Sequence, residues 1–168
     1  MQKIYFKYLL LFILLFYFKP ISFGQIQINL TGAWDFTIPN NDIFEAGLDF
    51  SGTYSSNANE VTVSITQQGF FANFFNYNWR VDIRKLDIDW HSDIQLYARR
   101  TGNGNPFFLY GNIIGGTSYQ QLTTSNQIFF SGNRSRLDIP IQYEIRNVSV
   151  LIPAKTYETT IIYTVTEL

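Results

Sequence analysis

Apolar and polar residues alternate along most of this chain. The alternation is clear at residues 26–30, 61–65, 79–83 and 139–145. A period of two places one set of side chains on each face of a strand, so each of these segments predicts a strand with one buried face. An amphipathic helix would need apolar residues three and four positions apart, and no segment shows that pattern convincingly. The chain is therefore predicted to be all-β.

The spacing of the strands predicts how they are arranged. Shorter alternating segments at 34–38, 94–96, 148–152 and 157–165 extend the series. Loops of about two to ten residues separate the strands, which gives about eight to ten strands in all. The strongest turn signal is Thr101–Pro106, which is rich in Gly and Asn. Many short strands at this spacing are typical of an antiparallel β-sandwich.

The long alternating segment at 79–90 changes phase. Trp79, Val81 and Ile83 continue one phase, and the next apolar residue, Leu86, lies three positions later. Such a shift predicts a bulge or bend at Arg84-Lys85. It would turn Leu86, Ile88 and Trp90 toward the core and leave the polar residues between them on an outward face. Those polar residues are Asp87, Asp89 and His91.

The aromatic residues divide into core and contact candidates. Trp79 and Trp90 stand in register with aliphatic neighbours, so we expect both in the core, together with Trp34. A second group has no single face and lies close to a loop, which predicts an aromatic contact surface for a glycan or a protein. The members of that surface are Phe70, Phe71, Phe74, Phe75 and Tyr77.

The first 24 residues have the pattern of a secretory signal peptide. Lys3 and Lys7 precede an apolar run of 11 residues, Tyr8 to Phe18, and Ser22-Phe23-Gly24 offers a cleavage site. The run is shorter than the ~20 residues that a membrane span needs. We therefore predict a signal peptide at 1–24 and a single domain at 25–168, without a membrane span. The expected location is the periplasm, the cell surface or the medium.

Charge and motifs exclude several function classes. Loss of the three lysines of residues 1–24 leaves nine basic residues against 13 acidic ones, a net charge of −4. Nucleic-acid partners favour a basic surplus, so none is expected here. The sequence contains no cysteine, phosphate loop or dinucleotide fingerprint, and His91 is its only histidine. No cofactor, no resident metal and no catalytic residue are predicted.

The two ends of the predicted domain are strands, and the second carries a resemblance. The segment from Ile152 to Val165 is similar to the closing strand of small exported bacterial β-sandwiches, in which Tyr is followed by alternating Thr and apolar residues. Pilus subunits and spore coat protein U-like domains end in this way. The resemblance implies an immunoglobulin-like sandwich used in adhesion or surface assembly. Many pilus subunits carry a cysteine pair, which this chain lacks.

The resulting hypothesis is a non-enzymatic exported structural or adhesive protein of a bacterial surface. Ile26, Ile28 and Leu30 would form an assembly strand, which either pairs with the closing strand of its own domain or is lent to a neighbouring copy. The closing strand beside it would present Tyr157, Ile161, Tyr163 and Val165. Two alternatives stay open. One is a carbohydrate-binding module that uses exposed aromatics, and the other is a metal-dependent enzyme built on Asp87, Asp89 and His91.

Overall fold

The computed structural model describes residues 25–39, 42, 50, 52–68, 77–107 and 109–168. The predicted signal peptide therefore lies outside the described residues. Within them the chain forms eleven strands and no α-helix. These are β1 (Ile26–Thr31), β2 (Thr53–Ser55), β3 (Val61–Gln67), β4 (Asn78–Asp89), β5 (Gln95–Arg100), β6 (Asn105–Pro106), β7 (Ile113–Gly115), β8 (Gln120–Gln121), β9 (Gln127–Asn133), β10 (Arg136–Arg146) and β11 (Glu158–Glu167). No helix in the described part is long and apolar enough to cross a membrane.

The strands form two antiparallel sheets. The larger sheet has the order β1-β3-β10-β5-β8, and β2 and β6 also pair with β10. The smaller sheet has the order β11-β4-β9-β7. Each sheet contributes one apolar face to a shared core, so the predicted all-β sandwich architecture is confirmed.

The alternating segments supply the core as predicted. Val63 and Ile65 of β3 are fully buried in the larger sheet, and Val81 and Ile83 of β4 are fully buried in the smaller one. Trp79 is also fully buried, and its indole Nε1 donates a hydrogen bond to the carbonyl oxygen of Arg134 at 2.6 Å. A buried indole N–H needs such a partner, because an unsatisfied donor would cost about 1–3 kcal/mol.

The Phe129-Phe130 pair lies on β9 at a β-bulge. Phe130 pairs with Val81, but Ile128 pairs with the adjacent Asp82, so Phe129 is an extra residue in its strand. Both phenylalanines are buried, with their ring centroids 5.1 Å apart. Neighbouring residues of a regular strand face opposite sides, and a bulge relaxes that rule. The side chains of both phenylalanines can therefore point into the same core.

The predicted phase change in β4 is wrong. Pairing of β4 with β11 continues without interruption from Trp79 to Asp87, so there is no bulge at Arg84-Lys85 on that side. The side chains of Leu86 and Ile88 stay 49% and 59% exposed. Because the strand keeps its phase up to Asp87, Leu86 lies on the same face of β4 as Asp82 and Arg84, opposite to the buried Val81 and Ile83.

Two other predicted strands are absent, and five observed strands, β2, β6, β7, β8 and β9, are not among the predicted ones. Residues 32–39 and 147–157 form no strand, although Trp34 still packs against the core. β7, β8 and β9 are short or bulged, which interrupts the alternation by which strands are recognised. Trp90 lies just after β4 and is partly buried against the core, as Trp34 is.

Candidate functional site

The two terminal strands are edge strands of different sheets. β1 pairs with β3 from Ile26–Gln67 to Thr31–Thr62, and β11 pairs with β4. Each stands at the end of its sheet, so one side of its backbone has no strand neighbour among the described residues. The strands approach each other across the two layers but do not pair. The alternative that the two terminal strands pair with each other inside one domain is therefore wrong.

The predicted assembly strand is packed loosely. Ile26 and Ile28 are only partly buried, and Leu30 is 42% exposed. By contrast, β3 alternates buried and partly buried residues over its whole length. β1 is therefore held by its backbone hydrogen bonds to β3 and by the partial burial of Ile26 and Ile28 against the core, which is less apolar burial than β3 has.

A large cleft opens between the sheets at the end of the sandwich where β1 ends and β11 begins. We call it the end cleft, and its volume is about 1320 Å³. The larger sheet contributes Leu96, Tyr143 and Ile145 to its lining, and the smaller sheet contributes Ile161 and Tyr163. The irregular segments 32–39 and 148–157 form its sides. The end cleft arises because both sheets extend beyond the tightly packed centre.

One side of the end cleft is an aromatic wall made by Trp34, Phe36, Tyr54 and Tyr143. The indole of Trp34 stacks on the ring of Tyr143, with centroids 6.2 Å apart and planes 10° apart. The ring of Phe36 lies 5.9 Å from Trp34 and 5.0 Å from Tyr54. Tyr143 and Tyr54 project from strands of the larger sheet, and Trp34 and Phe36 project from the segment after β1. The alternation of Trp34 and Phe36 is the signal in the sequence that marks this wall.

Two tyrosine hydroxyls meet at the floor of the end cleft. The Oη atoms of Tyr143 and Tyr163 lie 2.7 Å apart, and both residues are buried. Burial disfavours the charged phenolate. It raises the pKa of Tyr143 to about 12 and holds the pKa of Tyr163 well above its ordinary value of 10.0. Both hydroxyls are therefore neutral and hydrogen-bonded at physiological pH.

The opposite side of the end cleft carries polar groups that are already paired. The indole Nε1 of Trp90 donates to the carbonyl oxygen of Ile94 at 2.8 Å, and the hydroxyl of Tyr157 donates to that of Pro153 at 2.7 Å. At the rim, Lys155 Nζ lies 2.6 Å from Asp89 Oδ1. That hydrogen bond raises the pKa of Lys155, which stays protonated.

The acidic residues of the predicted metal alternative bind lysines. Asp87 lies 2.7 Å from Lys85 Nζ, and Asp89 pairs with Lys155. His91 Nδ1 is 3.8 Å from an oxygen of Asp93, which lies in the following turn. Among the described residues, no three His, Cys, Asp or Glu side chains converge on one point. These contacts give each carboxylate a cation from the protein itself, so the arrangement does not favour a metal-dependent enzyme.

The predicted aromatic contact surface falls mostly outside the described residues. This holds for Phe70, Phe71, Phe74 and Phe75. Tyr77 is partly buried, and its carbonyl oxygen accepts hydrogen bonds from Gln67 Nε2 and from the backbone N–H of Arg134. The carbohydrate-binding alternative, which uses this surface, stays a prediction.

Within the described ranges, the site therefore consists of two strand edges without a neighbouring strand and a largely apolar cleft beside them. Comparison of the sequence with protein-family models gives no match. Neither the curated proteins nor the solved structures yield a similar chain.

Proposed function

We propose that this chain is a non-enzymatic, exported structural or adhesive protein of a bacterial surface, which assembles by exchange of its first strand. The main support for the proposal is that β1 is an edge strand and that none of its residues is fully buried. An immunoglobulin-like character, as in pilus subunits and spore coat protein U-like domains, is part of this proposal.

Exchange of β1 conserves the contacts that its loss removes. When β1 leaves, the edge of β3 exposes the backbone groups that paired with Ile26 to Thr31. The β1 of a neighbouring copy restores the same hydrogen bonds, so the exchange is nearly neutral once the strand is free. Unpaired strand edges are costly in isolation and favour such pairing.

The segment after β1 supports the exchange. Residues 32–39 form neither strand nor helix. Eight extended residues span up to ~28 Å, which is enough to carry β1 to an adjacent molecule. Extension of this segment breaks no sheet or helix, but it separates Trp34 from the ring of Tyr143.

The test is the mass in solution of the protein recovered after export, measured by light scattering over a concentration series. We expect a ladder of species that grows with concentration. Ile28→Asp places a charge where β1 meets the core, and it should leave a single monomeric species. The matched control is Ile128→Asp on the exposed outer face of the smaller sheet, which should assemble as the parent does.

A second variant distinguishes loss of assembly from loss of folding. Leu30→Lys charges the exposed end of β1, and lysine on an edge strand opposes pairing with another strand. Circular dichroism should report an unchanged β-fold for Leu30→Lys, while its assembly is weakened. A parent protein that stays monomeric at every concentration refutes the proposal, as does an Ile28→Asp variant that assembles normally.

A further inference from the structure

We propose that the end cleft is a binding site for a small amphiphile, a molecule with an apolar acyl or aryl body and one polar end. The site is proposed for the monomer, because most of the lining lies outside β1 but Trp34 and Phe36 belong to the segment that strand exchange would extend.

The size of the end cleft suits an extended ligand. Its volume of about 1320 Å³ exceeds the ~300–1,000 Å³ of most small-molecule pockets. It is open at the end of the sandwich, between segments 32–39 and 148–157. A ligand can therefore enter along the axis of the sandwich without separating the two sheets.

The residues inside the end cleft favour the apolar part of a ligand. Below the aromatic wall the lining is aliphatic, with Leu96, Ile145 and Ile161. The hydroxyls of Tyr143 and Tyr163 bind each other. Because these two deep hydroxyls are bonded to each other, the interior beside them offers a ligand ring faces and methyl groups, while polar lining residues such as Asp35, Ser149 and Thr159 lie on the flanking segments and at the start of β11.

A sugar fits this interior less well than an apolar chain or ring does. Each sugar hydroxyl moved from water into an apolar site without a partner costs about 1–3 kcal/mol. Sugar-binding sites provide polar side chains for those hydroxyls, whereas the indole N–H of Trp90 is already bonded to Ile94 and the hydroxyl of Tyr157 to Pro153. Burial of apolar ligand surface against the wall contributes about 25 cal/mol per Å².

The rim determines where the polar end lies. Lys155, Thr156 and Glu158 are exposed at the mouth of the end cleft. They carry both signs of charge, and Lys155 is paired with Asp89. The polar end of the ligand therefore lies in water beside this rim, and its apolar body lies inside.

The experiment is a fluorescence titration of the protein recovered after export with N-phenyl-1-naphthylamine, a neutral apolar probe whose emission rises when water is removed. We expect saturable binding at one site per chain and displacement by oleate. Ile145→Trp fills the cleft and should weaken binding at least about ten-fold, equivalent to about 1.4 kcal/mol. Ile128→Trp adds the same bulk outside the cleft and should bind as the parent does.

A second pair of variants tests the aromatic wall with little risk to the core. Phe36 and Phe107 are both exposed, at 42% and 58%, but only Phe36 lines the end cleft. Phe36→Ser should weaken probe binding several-fold, and Phe107→Ser should leave it unchanged. Monomeric Ile28→Asp should still bind the probe, which separates this site from strand exchange.

Three results would overturn the proposal. The first is an absence of saturable probe binding, which would show that the cleft does not accept an apolar ligand. The second is an equal effect of each variant and its control, which would place the probe elsewhere. The third is displacement of the probe by maltohexaose but not by oleate, which would assign the cleft to a sugar.

Discussion

The hydroxyl of Tyr143 on β10 and the hydroxyl of Tyr163 on β11 meet at 2.7 Å, and this hydrogen bond joins the two sheets across the core. Tyr143 is 3% exposed and Tyr163 is 8% exposed. The bond lies at the floor of the end cleft, where the sheets begin to separate. It therefore fixes the distance between the two layers at the point where packing ends.

Removal of both hydroxyls of this pair should cost about as much as removal of one. Tyr143→Phe leaves the hydroxyl of Tyr163 buried without this partner, at a cost of about 1–3 kcal/mol, and Tyr163→Phe has the converse effect. The double variant removes both polar groups and should be close to the less damaging single variant. Urea denaturation of the four proteins measures the coupling. Strict additivity of the two losses would contradict the bond.

The same pair predicts loss of stability at alkaline pH. Burial raises the pKa of Tyr143 to about 12 in the folded protein, whereas an unfolded tyrosine keeps its ordinary value of 10.0. The neutral form favours the fold, so this contribution is fully present below pH 10 and is lost as pH rises toward about 12. A shift of this size corresponds to about 3 kcal/mol.

A pH series of urea denaturation measures this loss. The free energy of unfolding of the parent should fall steeply above pH 10, the ordinary value for tyrosine. In the double Tyr143→Phe, Tyr163→Phe variant the fall should be shallower. Equal slopes in the two proteins would show that other groups control alkaline unfolding.

Arg100 should stabilise the fold through backbone carbonyls. It is 4% exposed, and its guanidinium donates to the carbonyl oxygen of Gly115 at 2.9 and 3.1 Å and to that of Gly102 at 2.9 Å. Burial, with a smaller contribution from Arg136, lowers the pKa of Arg100. Arg100→Met removes these charge-assisted hydrogen bonds from a buried position, and since hydrogen bonds to charged groups contribute about 1.5–3 kcal/mol each, it should destabilise by several kcal/mol.

Arg99 is the matched control for this change. It lies on the opposite face of β5, donates to Gln142 at 2.8 and 3.0 Å, and stacks its guanidinium over Tyr119. Because its environment is partly solvated, Arg99→Met should cost about 1 kcal/mol or less. Thermal unfolding of both variants distinguishes the two positions. Equal losses would indicate that the carbonyl contacts of Arg100 contribute little.

Alternation predicts the central strands over the stretches where one face is buried and the pairing is regular. β3 is the clearest case, since its apolar residues are buried and the Thr and Ser residues between them are only partly so. The pattern was less informative where the chain departs from a regular strand. The Phe129-Phe130 doublet required a bulge, whose position depends on the partner strand and is not encoded in β9 alone. Trp34 and Phe36 alternate as a strand would, but they belong to a cleft wall.

The site was less predictable than the fold. The terminal strands were recognised, but their placement in different sheets depends on pairing with β3 and β4, which alternation does not specify. The end cleft arises from how far two sheets extend past their common core. The cleft brings together residues far apart in the sequence, such as Trp34, Leu96 and Tyr163, and no local sequence pattern predicts it.

The exposed end of β4 should tolerate polar substitution, contrary to the prediction from phase. Leu86→Ser and Ile88→Ser remove side chains that are already half-exposed, so each should change the free energy of unfolding by about 0.5 kcal/mol or less. Ile83→Ser removes a fully buried side chain of the same strand and should cost about 3 kcal/mol or more. Urea denaturation at neutral pH compares the three variants. A large loss for Leu86→Ser would mean that β4 changes phase after Ile83, and that Asp87 and Asp89 face outward together.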